Sequence, residues 1–241
     1  MNISVGAQTP AEVQAPVFAP SLSRRLPNQW EFTPPRRGTP GNTEGGATRS
    51  PQQCVQGKKM LTALVPASGG GETISAYPTF FWYQPETSAK SVEFVLRDSR
   101  GQEVYSTQYA IAGKKGIMSL ELPAFATMSP LAVDQEYYWQ LALICDPFDR
   151  SADYLVEGWL QRVEANPLLA THTKMANHQD RVAIYANERL WYETLSELVA
   201  LRRQRPNDVA LADAWAKLLN SAGLDMISEE PLFQGAARTN N

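Results

Sequence analysis

At 241 residues, with 43% hydrophobic and 10% aromatic content, the chain can bury a real core in one large or two small domains. Its net charge of −3 conceals an asymmetry: residues 1–59 carry seven Arg or Lys against three Glu, +4, while the remainder carries 15 basic and 22 acidic residues, −7. A weakly basic segment on an acidic body is the wrong footprint for nucleic acid, and no run of about 18 apolar residues could span a bilayer as a helix.

The first residues, Met1 to Ala7, have neither the charged start nor the apolar core of a signal peptide, yet Val5-Gly6-Ala7 before Gln8 has the small-residue spacing of a cleavage site. Two readings fit: a leader largely missing from this chain, or an ordinary disordered start. Residues 8–53 hold eight prolines and four glycines with almost no apolar period, so residues 1–53 are predicted to be a disordered basic arm. Trp30 and Phe32 interrupt it, and an aromatic pair in such an arm marks a docking point on the body or on a partner. Gly57-Lys58 invites a phosphate-loop reading, but Lys59 stands where Ser or Thr is required.

From residue 54 to 163 the pattern is that of consecutive strands. Met60 to Val65 comes first, closed by Pro66 and a loop at Gly69-Gly70-Gly71; Thr79 to Tyr83 follows Pro78. Ser91 to Arg97 alternates through Val92, Phe94 and Leu96, turns at Asp98 to Gly101, and returns as Gln102 to Tyr109. Gly116 to Leu122 is short. Tyr137 to Cys145 is the most strand-like run in the chain, apolar on both faces, and is predicted to lie mid-sheet. Tyr154 to Val163 is last. Seven strands with no interleaved helix argue for a mainly β fold, an antiparallel sandwich of the immunoglobulin or fibronectin kind, with Trp82 and Trp139 in its core.

Residues 164–241 change period and are predicted to form a helical extension packed on the sandwich. Asn166-Pro167 opens a short helix. From Gln179 to Arg203, apolar residues at spacings of three and four predict one long amphipathic helix, stopped by Pro206. Asn207 or Asp208 caps a further helix through Leu211, Trp215 and Leu219 that closes near Gly223. Trp191, Tyr192 and Trp215 supply the surface by which the helices pack on the sandwich or on another protein; with Trp30 and Phe32, Trp191 and Tyr192 are the candidate binding surface.

Chemistry-bearing residues are sparse. Asp146, Asp149 and Asp153 place three carboxylates in eight residues, a weak calcium candidate, but the spacing fits no standard loop and Arg150 offers an internal partner. His172 and His178 are six apart, on different faces of any helix holding both, and no Gly-x-Ser-x-Gly elbow occurs. Catalytic residues and cofactors are therefore predicted to be none. Cys54 and Cys145 permit a single bridge, closing a loop of about 90 residues and stabilising by roughly 4–5 kcal/mol in the chain-entropy model, or remain as two buried thiols.

Several stretches carry a resemblance: PPRRG at 34–38, GGATR at 45–49 with Cys54 after it, LTALVP at 61–66, YPTFFW at 77–82, YYW at 137–139, ICD at 144–146, DRS at 149–151 and WY at 191–192. With these the chain resembles the domain of unknown function 928 family, mainly cyanobacterial. The resemblance implies a bacterial, exported product, a sandwich followed by helices, and a Cys54 to Cys145 bridge. It brings no activity with it. The expectation is a non-catalytic protein-protein interaction module of the bacterial cell envelope, periplasmic or extracellular, binding another protein and open to oligomerisation. A structural or assembly subunit is the alternative, with a hydrolase or calcium-binding domain behind it.

Overall fold

A computed structural model describes Phe32, Thr43, Glu44 and residues 54–124 and 128–233. Among these residues ten strands precede four helices: β1 (Val55–Gln56), β2 (Thr62–Ala63), β3 (Gly70–Thr73), β4 (Thr79–Gln84), β5 (Glu86–Thr87), β6 (Ser91–Asp98), β7 (Glu103–Ala110), β8 (Gly116–Glu121), β9 (Glu136–Ile144), β10 (Tyr154–Arg162), α1 (Pro167–Met175), α2 (His178–Asn187), α3 (Trp191–Gln204) and α4 (Val209–Ser221). One sheet has the order β3, β10, β9, β6, β7; a second has β2, β4, β8; β1 and β5 pair separately.

β9 is the middle strand of the larger sheet, as its two-faced apolar pattern predicts. Tyr137, Trp139, Leu141 and Leu143 are buried on one face, matched by Val92, Phe94 and Leu96 of β6. The two sheets meet through aromatic rings. Phe80 of β4 lies 4.8 Å from Phe94 and 5.4 Å from Trp139, centroid to centroid, in the tilted and edge geometries that ring quadrupoles favour. The fold is mainly β: an immunoglobulin- or fibronectin-like sandwich followed by helices.

Three sequence expectations are corrected. Of Gly69 to Gly71, read as a loop, Gly70 and Gly71 open β3, which pairs parallel to β10 with Gly70 opposite Trp159, so the sandwich is not wholly antiparallel. Gly70 and Gly71 serve close approach, while Gly69, at φ 81°, makes the bend before them. A Cβ on Gly70 would lie 1.9 Å from the Trp159 carbonyl oxygen, and one on Gly71 would lie 2.9 Å from the Trp191 Cβ. The strand expected over Met60 to Val65 enters a ladder only at Thr62 and Ala63, although Leu61 to Val65 are all buried. The single helix expected over Gln179 to Arg203 is two. Arg189 adopts a left-handed φ of 61°, and this turn folds α3 back on α2, bringing Trp191 to the sandwich instead of carrying it past.

The predicted boundary between 163 and 164 separates strands from helices but not one core from another. Trp82, Leu141 and Val156 belong to the same continuous apolar cluster as Trp191, Leu198 and Trp215. The three described residues of the arm join this body. Phe32 donates its N–H to Ser221 Oγ at 3.1 Å and sets its ring edge-on to Trp191 at 4.9 Å; Thr43 accepts from Ala63 N at 3.0 Å; Glu44 bridges to Thr62. Trp30 and the rest of residues 1–53 lie outside the described residues.

Cys54 and Cys145 are disulfide-bonded, their Cα atoms 5.5 Å apart and 91 positions apart in sequence. The bridge joins the start of β1 to the residue just after the middle strand. Reduction, or Cys54→Ser with Cys145→Ser, is expected to lower unfolding free energy by about 2–5 kcal/mol, read as a lower denaturant midpoint; an unchanged midpoint would show the bridge to be dispensable.

Candidate functional site

Of the residues expected to form an exposed binding surface, the three that are described are buried. Trp191 is wholly buried, and Tyr192 and Phe32 nearly so. Their partners explain it. Trp191 Nε1 donates to the Leu64 carbonyl at 2.9 Å, while Tyr192 OH donates to the Trp159 carbonyl at 2.8 Å and accepts from Trp139 Nε1 at 3.3 Å. A large aromatic with its polar tip satisfied belongs to a core. The packing role read for Trp191, Tyr192 and Trp215 is the one they have, and the partner they pack on is the sandwich.

The acidic turn after β9 is tied up locally. Asp146 accepts from Phe148 N, Asp149 accepts from Ser151 N and Oγ, and Asp153 accepts from Cys145 N. Arg150 joins Asp153 at 2.5 Å and Glu93 at 2.8 Å, and the carboxylates hold the guanidinium firmly charged. This is the Arg-paired turn that the sequence favoured over a calcium loop. Among the described residues no group of three or more His, Cys, Asp or Glu is placed to hold a metal ion.

The polar concavity lies elsewhere, in a cleft of about 330 Å³ between α2, α3 and the turn joining β3 to β4. One face of α3, at the i, i+3, i+4 and i+7 positions, supplies Glu193, Ser196, Glu197 and Ala200; Tyr77, Tyr185 and Glu121 are among the other walls. Glu197 is occupied by α2, accepting from Arg181 Nε at 2.8 Å and lying 2.8 Å from His178 Nδ1. Glu193 reaches the other way. Its Oε1 accepts from Thr73 Oγ1 at 2.6 Å, Ile74 N at 2.9 Å and Ser75 N at 3.0 Å, tying α3 to the end of β3. Its Oε2 is closed to solvent and has no partner among the described residues.

Burial dominates the Glu193 carboxyl and raises its pKa above the ordinary 4.5, although the donors from Thr73, Ile74 and Ser75 work in the opposite direction. Desolvation likewise raises Tyr185, with Glu197 and Glu193 adding repulsion and Thr173 and Arg181 opposing, and it raises Tyr192 far above the normal tyrosine range. Sequence reasoning missed this cleft. The only signal was a polar stripe on an otherwise apolar helix, and the partners of Glu193 lie 118–120 positions away.

The apolar surface is also not where it was expected. α1 buries only Leu169, and on its outer face Leu168 and Met175, seven positions apart, are 66% and 85% exposed. Phe148, in the turn beside the disulfide, is 98% exposed. No helix among the described residues is long and apolar enough to cross a membrane.

The fold and its surfaces define a disulfide-linked, immunoglobulin-like sandwich closed by a helical segment. The chain belongs to the family described as Domain of Unknown Function (DUF928), whose profile matches residues 44–232. No curated protein matches it in sequence. Two solved structures are similar to it: the fn3 domain of human collagen alpha-1(XX) chain, at 13% identity and TM-score 0.28 over 49% of this chain and 92% of that one, and CopC from Methylosinus trichosporium OB3b, at 14% identity and TM-score 0.26 over 40% and 87%.

The raised Glu193 pKa has a signed consequence. Between 4.5 and the raised value the native state keeps a proton that the unfolded chain has released, so this contribution is complete below that window and is lost as pH rises through it. Urea midpoints across pH 4 to 8 are expected to fall for the wild type relative to Glu193→Gln as pH increases. Parallel profiles would refute the assignment.

Proposed function

We propose that this chain is a non-catalytic, exported protein-protein interaction module of the bacterial cell envelope, and that α1 is its docking element. The observation that carries the reading is the outer face of α1: a nine-residue helix with one buried side chain and two large apolar side chains turned to solvent. A helix of that length gains little from its own hydrogen bonds, and most helical stability comes from packing an apolar face. The bond between Cys54 and Cys145 supports an oxidising compartment, periplasmic or extracellular. It also consumes both thiols as nucleophiles, which favours binding over catalysis.

A second reading, a structural or assembly subunit, is favoured by one feature. β7 is the outer strand of the five-stranded sheet, eight residues long and without a strand on its far side among the described residues.

A photo-crosslinking residue in place of Met175, in an exporting bacterial host, is expected to trap one recurrent envelope protein identified by mass spectrometry. Leu168→Glu should abolish the trap without changing the unfolding midpoint. If Leu168→Glu leaves the trap intact while Ser106→Pro on β7 disperses an assembly in sedimentation, the assembly reading stands instead.

A further inference from the structure

We propose that the cleft between α3 and the β3 to β4 turn is a binding site for a primary alkylammonium group, carried by a small free amine or by a lysine side chain of another protein. The inference is independent of the docking role of α1, because it rests on different residues.

The cleft is acidic, and the donors of Tyr77 and Tyr192 in its walls and of Arg181 beside it are committed. The hydroxyl of Tyr77 donates to the Met128 carbonyl and that of Tyr192 to the Trp159 carbonyl, while Arg181 is spent on Glu197. Against them stand Glu121, exposed at the rim with no ionic partner among the described residues, and Glu193, whose Oε1 has three donors and whose Oε2 has none. A buried carboxylate oxygen without a donor is costly, and an ammonium N–H removes that cost where water is excluded and attraction is strongest. Tyr77 and Tyr185 line the cleft and bring aromatic rings, a group that attracts cations. A guanidinium fits less well. It recognises a carboxylate through two oxygens at once, and Glu193 offers only one. A neutral polyol brings no positive charge to set against Glu121 and Glu193. Because Oε2 is closed to solvent, a lining side chain must rotate as the ligand enters.

The test uses the full chain with its disulfide intact, followed by NMR titration and calorimetry. The probes are n-butylamine, N-acetyl-lysine methylamide, its Nζ-acetylated form, butylguanidinium and a neutral polyol. Both amines are expected to saturate, shifting signals of Ser75, Tyr185 and Ser196, with the guanidinium and the polyol weaker by about tenfold and the acetylated form silent. Tighter binding of n-butylamine than of the lysine amide assigns the site to a free amine; the reverse order assigns it to a partner's lysine. Glu193→Gln should weaken binding by about tenfold. Glu121→Gln, at an exposed position that cannot disturb the core, should weaken it about threefold. The proposal is overturned if no amine saturates by about 10 mM, if the acetylated probe or the polyol binds as well as the amines, or if both variants bind like the wild type.

Discussion

Three consecutive side chains at the start of α3 hold the molecule together. Trp191 enters the apolar cluster and anchors its indole on Leu64, Tyr192 slides between the sheets to meet Phe80, Trp139 and the Trp159 carbonyl, and Glu193 clamps the turn after β3. Burial decides the energetics. Each aromatic removes roughly 150–250 Å² from water, about 4–6 kcal/mol at about 25 cal/mol per Å², whereas each hydrogen bond adds about 1 kcal/mol. The hydrogen bonds fix position instead: they set the depth and rotation of α3, and the missing side chain of Gly71 makes the approach of Trp191 sterically possible. The helical segment is therefore the closing wall of the sandwich.

That arrangement accounts for what the sequence could and could not reveal. Local periodicity is written in a few neighbouring residues, so β9, the β6 to β7 hairpin, the cap at Asp208 and the mid-sheet place of Tyr137 to Cys145 were legible. So was the burial of Trp82 and Trp139. What was not legible depends on partners far along the chain. Three glycines in a row have the composition of a loop, and only the positions of Trp159 and Trp191 show why Gly70 and Gly71 belong to a strand. Arg189 carries no mark of a left-handed turn, since arginine fits a helix interior equally well. The adjacent Trp191 and Tyr192 read as surface or core with equal ease, and their burial is settled by the sheet they meet. Glu193 looks like an ordinary acidic residue in a first helical turn, where the helix dipole welcomes it.

The same geometry divides the surface into two kinds of opportunity. Phe32, Trp191 and Tyr192 are buried, whereas Leu168 and Met175 on α1 are exposed and β7 has no strand on its far side among the described residues. The polar side of α3, facing away from the apolar cluster, lines a cleft with a desolvated carboxylate at its base. The Cys54 to Cys145 bond secures the opposite end of the sheet, so the middle strand is constrained by a covalent link at one end and by helix packing at the other.

Thermal unfolding followed in parallel by far-ultraviolet circular dichroism of the helices and near-ultraviolet dichroism of the buried tryptophans tests this account most directly. If α3 is the closing wall of a shared core, the two signals lose amplitude in one coincident transition, and Tyr192→Ala moves both midpoints down together. Helical signal lost at a lower temperature, with the tryptophan signal unchanged until a second transition, would mean that the sandwich stands without its helices and that the account is wrong.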